Sequence, residues 1–181
     1  KLRIGAFGEV VFTTAMTGYV ESLTDPSYNG QILVFTYPLI GNYGVPANKF
    51  WESKKIFARA VVVSEACLSP SHYQSRQTLL DWLKIQKIPI MTGCDTRALT
   101  KCLRETGVML GAMTNFPSPK KSSARREFFE DPNQEPLVKQ ASIVKPKIYG
   151  HGKKIIIAVD CGMKENIIRS LSKFDFTIKR V

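Results

Sequence analysis

Two apolar runs, residues 9–12 and 31–37, bracket a segment crowded with polar and turn-forming residues. This arrangement constrains the fold most, because it sets two short strands on either side of a sharply turning path. Asp25-Pro26-Ser27 is the densest turn signal: an Asp carboxylate can accept a local backbone hydrogen bond, and Pro fixes φ. Gly41, Asn42 and Gly44 form a second cluster directly after the strand over residues 32–37. Rigid turns at the ends of buried strands hold backbone and hydroxyl groups in a fixed place, as a binding or docking surface requires. On residue chemistry alone, a β-meander with ordinary turns is the plain alternative.

The rest of the chain alternates between the two periodicities. Residues 58–64 read as a strand that becomes continuously apolar, the pattern of a central strand in a sheet. Ser69-Pro-Ser71 offers a helix start, and Leu79, Leu80, Leu83 and Ile85 form an amphipathic stripe over residues 78–86 with Trp82 near its apolar face. Residues 88–91 make a short strand with Pro at its edge. Asp95 stands where a helix N-cap belongs, ahead of a helix over residues 96–106 whose expected buried stripe is Leu99, Cys102 and Leu103 and whose stop is Gly107. A strand over residues 108–113 follows. Residues 45–55 read as a polar loop or short helix, and residues 116–134, with three prolines and paired basic residues, as a mobile connection. After Gly150-His-Gly152, residues 153–160 form a buried-strand pattern. A turn at Cys161-Gly162, a helix over residues 164–173 and a strand over residues 176–181 complete the start of a βαβ unit. The expected boundary lies at Gly150–Gly152, dividing residues 1–150 from 151–181.

Composition narrows the function classes. The 44% hydrophobic and 23% charged content is that of an ordinary globular protein. No apolar run approaches the roughly 20 residues that span a bilayer, so no membrane helix is expected. The opening Lys1-Leu-Arg-Ile lacks Met, which suggests a trimmed or processed fragment. Four widely spaced cysteines (Cys67, Cys94, Cys102 and Cys161) form no Cys-x-x-Cys pair, and with only two histidines they do not suggest a metal site; buried reduced thiols are expected. The net charge of +11 raises nucleic acid as a partner, but residues 120–181 carry fourteen Lys and Arg against seven Asp and Glu, so much of the excess is tail-weighted. No reading motif accompanies it, and a solvated basic surface is the expectation.

The segments Gly8-Glu-Val-Val-Phe, Met16-Thr-Gly-Tyr, Leu23-Thr-Asp-Pro-Ser-Tyr and Thr36-Tyr-Pro-Leu-Ile-Gly-Asn-Tyr-Gly closely resemble the small subunit, or fused amino-terminal region, of glutamine-dependent carbamoyl-phosphate synthetase. Gly93-Cys-Asp-Thr-Arg-Ala-Leu-Thr-Lys-Cys-Leu-Arg-Glu-Thr-Gly and Val159-Asp-Cys-Gly-Met-Lys-Glu-Asn-Ile-Ile-Arg extend the match in the same order. The resemblance implies an α/β fold: a three-layer β/β/α amino-terminal domain, then the truncated β-α-β start of a flavodoxin-like class I glutamine amidotransferase domain. It implies a cytoplasmic enzyme part, with the synthetase large subunit or fused synthetase region as partner and glutamine as small-molecule substrate. ATP and Mg or Mn belong to that synthetase portion, and no cofactor is expected in residues 1–181. The run over residues 36–44 resembles the pyrimidine-pathway type more than the ammonia-using relatives, with arginine biosynthesis as the alternative pathway.

Within the resemblance Ser27 matches a position that contributes to glutamine binding across the domain interface. A hydroxyl both donates and accepts, which suits glutamine's mixed ends; the alternative is a turn hydroxyl capping a neighbouring N–H. Ammonia-using relatives differ here, with Ala in place of this Ser. No cysteine of this chain fits the family's nucleophile elbow. Gly93-Cys94-Asp95 fails the Gly-x-Cys-x-Gly pattern, and Cys161 falls in the first strand-to-helix turn of its domain. The catalytic Cys, His and Glu are expected beyond Val181, so residues 1–181 alone should be inactive. Asp95 and Arg97 read as a helix cap with a local ion pair rather than as catalytic groups. The turns over residues 16–28 and 41–44 are the expected docking surfaces. A second hypothesis is a non-catalytic binding module with a basic surface for a polyanionic partner.

Overall fold

A computed structural model describes residues 4–114 and 134–181. The elements in order are β1 (Ile4–Thr13), α1 (Tyr19–Thr24), β2 (Gln31–Phe35), β3 (Leu39–Ile40), β4 (Ala60–Val62), β5 (Glu65–Ala66), α2 (Leu79–Ile85), β6 (Ile90–Met91), α3 (Thr96–Thr106), β7 (Met109–Thr114), α4 (Leu137–Ala141), β8 (Lys147–Tyr149), β9 (Lys154–Ala158), α5 (Glu165–Leu171) and β10 (Phe176–Arg180). The expected connection over residues 116–134 lies outside the described residues apart from Gln134.

The fold is α/β. Its first sheet is mixed, in the order β6-β4-β2-β1-β7, with β1, β2, β4 and β6 mutually parallel and β7 antiparallel to β1. Continuous apolar runs in β2 and β4 follow from burial on both faces. Leu33, Phe35, Val61 and Val63 pack with Tyr19, Val20 and Leu23 of α1 and with Leu79, Trp82 and Leu83 of α2. Ile32, Val34, Ala60 and Val62 alternate to the opposite face, against Leu99 and Leu103 of α3 and Met109 and Met113 of β7. Fully burying each Leu or Val contributes about 1.5–3 kcal/mol, so this doubly covered sheet holds most of the apolar stabilisation. The central placement expected for residues 58–64 is observed, since β4 lies between β2 and β6. β1 begins well before residue 9; a Cβ at Gly8 would collide with the Gly30 carbonyl, which is why a glycine interrupts this strand's side-chain pattern.

Several local expectations hold at atomic detail. Asp25 Oδ1 accepts the Ser27 N–H at 3.0 Å, and Asp95 Oδ1 accepts the Ala98 N–H at 2.9 Å to cap α3. Gly107 has φ +82° and closes α3 with its N–H on the Leu103 carbonyl. Others are corrected. The segment read as turns after residue 16 contains α1, whose Tyr19, Val20 and Leu23 are core. Helix α2 is capped by Thr78, whose hydroxyl accepts the Asp81 N–H, and not started at Ser69. Ile85 is exposed rather than part of the buried stripe, and so is Cys102. No ion pair joins Asp95 to Arg97; the cap alone accounts for Asp95.

The second sheet has the order β8-β10-β9, with β9 and β10 parallel and joined through α5. β8 precedes the Gly150–Gly152 break yet pairs with β10. One face packs Ala158 and Ile178 under Ile168 and Leu171 of α5. On the other face Ile155, Ile157 and Val159 are exposed, as is Ile148 of β8. The fully buried strand expected over residues 153–160 is therefore half-buried: alternate residues meet α5, and no described residue covers the rest.

Candidate functional site

Ser27 sits in a 3-10 turn, Pro26–Tyr28, that connects α1 to β2. The turn is rigid because Pro26 and Asp25 are buried and Asp25 caps it from below. Asp25 performs the capping considered for the Ser27 hydroxyl. Ser27 itself is exposed, and its hydroxyl makes no hydrogen bond among the described residues. It faces a cleft of ≈ 220 Å³ whose other lining residues include Glu9, Asn29, Gln31, Leu137 and Cys161. Two walls thus meet at Ser27: the end of the first sheet where β2 begins beside β1, and the turn that leads from β9 into α5.

That second wall is seated tightly. Gly162 has φ +103°, and a Cβ there would lie 3.3 Å from Pro26 Cβ and 3.2 Å from Ala141 Cβ. A side chain would force the turn away from Pro26, so glycine permits the close approach. Asn29 Nδ2 donates to the Leu137 carbonyl at 2.9 Å, fixing α4 over the same cleft, and Arg59 pairs with Glu135 just before α4.

Charged groups pin the wall from beneath. Lys164, immediately ahead of α5, reaches Asp25 Oδ2 at 2.6 Å, and the hydrogen bond to Asp25 raises its pKa above the ordinary lysine value. Arg169 of α5 pairs with the buried Glu52 at 2.6 Å. Asp160, fully buried at its side chain, accepts the N–H groups of Gly162 (2.9 Å), Met163 (2.7 Å) and Ile143 (2.9 Å) and pairs with Arg180. Burial alone would raise its pKa; those N–H groups and Arg180 outweigh burial and hold the carboxyl below its usual range. Asp160 therefore shapes the Cys161-Gly162 turn as an ionised carboxylate. None of Glu52, Asp160 or Arg180 was singled out from the sequence. Their partners lie up to 117 residues away, and no local pattern marks them.

The four cysteines are not the buried set expected. Cys67 and Cys94 are half-buried, and Cys102 and Cys161 are exposed: Cys67, Cys94 and Cys161 stand in connections that follow strands, and Cys102 is on a solvent-facing position of α3. Burial pushes the Cys94 thiol up, away from thiolate chemistry. Among the described residues no group of three or more His, Cys, Asp or Glu could hold a metal ion, and no helix is long and apolar enough to cross a membrane. The two turn clusters expected to dock a partner are physically joined. Tyr43 Oη accepts the N–H groups of Gly18 (2.8 Å) and Tyr19 (3.0 Å), and its ring stacks on Tyr19 at 4.1 Å. Burial pushes the Tyr43 phenol up to about 12, so it stays protonated across the physiological range.

Comparisons with known proteins converge on one family. A family model described as carbamoyl-phosphate synthase small chain, CPSase domain, matches residues 2–113. The chain is 50% identical over 175 residues to the multifunctional protein CAD of Squalus acanthias, covering 92% of this chain and 8% of that protein. It is 47% identical over 174 residues to the carbamoyl phosphate synthase small chain of Caldanaerobacter subterraneus (95% of this chain, 46% of the relative). To the carbamoyl phosphate synthase arginine-specific small chain of Neurospora crassa it is 44% identical over 174 residues (91% and 38%). The chain thus spans less than half the length of each of these relatives.

Proposed function

The chain belongs to the carbamoyl-phosphate synthase small-chain family, and from that premise we propose that it is the amino-terminal part of a glutamine-hydrolysing carbamoyl-phosphate synthetase. Residues 1–150 are the small-chain amino-terminal domain, and residues 151–181 begin the amidotransferase domain. The parent enzyme hydrolyses glutamine and passes the ammonia to a synthetase region that consumes bicarbonate and ATP with Mg or Mn. That region, as a separate large subunit or fused to this chain, is the partner, and the joined turns around Tyr43 are its docking surface. The run over residues 36–44 is the basis for assigning the pyrimidine type.

The observation that carries the reading is the Ser27 hydroxyl, which has no hydrogen-bond partner among the described residues and is held over the cleft where the first sheet meets the Cys161-Gly162 turn. A rigid hydroxyl with both lone pairs and proton free can meet the amide or the α-amino acid end of glutamine. Burial raises the Cys94 thiol, and Cys161 lines the cleft in the first strand-to-helix turn of its domain; in this reading residues 1–181 supply binding and not the nucleophile.

Glutaminase kinetics of the full-length parent, wild type against Ser27→Ala, test this. The expected result is a KM for glutamine raised about 5- to 20-fold with kcat changed less than about 3-fold, the signature of uniform binding lost. Unchanged KM would reduce Ser27 to a turn residue. A wild-type parent with no glutaminase activity would overturn the enzymatic reading.

A further inference from the structure

We infer that Glu52 is the positioning residue that sets the two walls of the Ser27 cleft against each other; the inference rests on the glutamine-site reading above. Glu52 lies in a loop stretch just after a 3-10 turn, Asn48–Phe50, and it is only 6% exposed. Its backbone N–H donates to Thr24 Oγ1 at 2.9 Å, and the next residue, Ser53, donates its hydroxyl to the Thr24 carbonyl at 2.6 Å. Thr24 is the residue that leads into Asp25-Pro26-Ser27. Glu52 thereby fixes the near wall through the main chain.

The same residue fixes the far wall. Its carbonyl accepts the Glu165 N–H at 2.9 Å, and its Oε2 accepts the Asn166 N–H at 2.8 Å. Its Oε1 accepts Arg169 Nη2 at 2.6 Å, while Arg169 Nη1 reaches the Trp51 carbonyl at 2.9 Å. Helix α5 has no side-chain cap of its own at Lys164. Its first free N–H groups are capped instead by a carboxylate and a carbonyl from more than 110 residues earlier, and negative charge there suits the helix end. Because α5 directly follows the Cys161-Gly162 turn, holding its first turn holds Cys161 opposite Ser27.

The chemistry requires a carboxylate. Two acceptor oxygens face two donors, the Asn166 N–H and the Arg169 guanidinium. An amide in the same place presents its NH2 to one of those donors and must break that contact. Glu52 touches no substrate in this account; it acts through the spacing of the walls.

Steady-state kinetics of the full-length enzyme with Glu52→Gln, Ser27→Ala and the double variant decide the matter, with ammonia-supported synthesis measured beside the glutamine reaction. Glu52→Gln is expected to raise the glutamine KM about 3- to 10-fold while ammonia-supported synthesis, which bypasses the cleft, stays near wild type. In the Ser27→Ala background the further increase should fall below about 2-fold, because residues acting through one contact are non-additive. Three results each overturn the inference: an unchanged KM, equal loss of both reactions, or an undiminished increment in the double variant. If Glu52→Gln does not accumulate folded, Arg169→Gln carries the same test, since it spares the Asn166 contact and releases only the guanidinium. A KM raised by Ser27→Ala but not by the Glu52 or Arg169 change sinks the Glu52 role alone. A KM unmoved by Ser27→Ala sinks the glutamine contact itself.

Discussion

The two larger sheets among the described residues, five-stranded and three-stranded, are held in different ways. The first is buried on both faces, with alternate residues of β2 and β4 meeting α1 and α2 on one side and α3 on the other. The second has one apolar face under α5 and one exposed face, and its turn and helix are fastened by charged groups: Asp160 with Arg180, Glu52 with Arg169, and Asp25 with Lys164. The first sheet is specified by hydrophobic burial, which is strong and non-directional. The second is specified where it matters for the cleft by directional contacts, which hold the Cys161-Gly162 turn in place. A site assembled between such regions inherits rigidity from one and registration from the other.

The largest expected effect lies in the first sheet. Leu33→Ala should cost about 3–4 kcal/mol, from lost transfer energy and the cavity left between β2 and its neighbours. Denaturant unfolding of the full-length protein measures it, and a loss under about 1 kcal/mol would deny that this face is close-packed. Next is Asp160→Asn. It removes the charge facing Arg180 and disturbs three N–H contacts, and breaking a buried pair of this kind costs about 3 kcal/mol. Hydrogen exchange should show faster exchange at residues 143 and 160–163 with the first sheet unaffected. Exchange rising equally in both sheets would show that they are not separately fastened.

The same carboxylate predicts a pH dependence. Its folded pKa is depressed below the unfolded value, so its contribution is fully present above the unfolded pKa of about 3.9 and is lost as pH falls through the folded value. Stability of the second sheet should therefore be flat in this term from pH 7 to about 4 and fall below it, and Asp160→Asn should remove that part of the acid dependence. The smallest effect is expected at the open face. Ile157→Thr in residues 1–181 should change stability by less than about 0.5 kcal/mol, as exposed substitutions usually do. A loss above about 1 kcal/mol would show that this face is covered after all.

Local rules made much of the first sheet legible. Short continuous apolar runs marked β2 and β4, Asp95 and Gly107 marked both ends of α3, and Asp25-Pro26 marked the Ser27 turn. Helix α1 escaped because residues 16–28 read as one polar, turn-rich stretch, whereas Tyr19, Val20 and Leu23 are buried by tertiary packing. Ile155 and Ile157 read as buried because three consecutive isoleucines carry no alternation, so nothing in the run distinguishes a covered face from an open one. The candidate site was legible only at Ser27, and there through family resemblance rather than spacing. Glu52 looked like one more polar loop residue, and Asp160 like a strand-end acid. Their meaning lies in partners brought near by the fold, Asn166 and Arg169 for one, Arg180 and the turn amides for the other.

The most direct measurement is a crystal structure of the full-length protein with an unreactive glutamine analogue bound. The ligand is expected between the Ser27 turn and the Cys161-Gly162 wall, with Ser27 Oγ within about 3 Å of a polar ligand atom and the Glu52 contacts to Asn166 and Arg169 intact. A ligand bound elsewhere, with Ser27 left facing solvent, would contradict it.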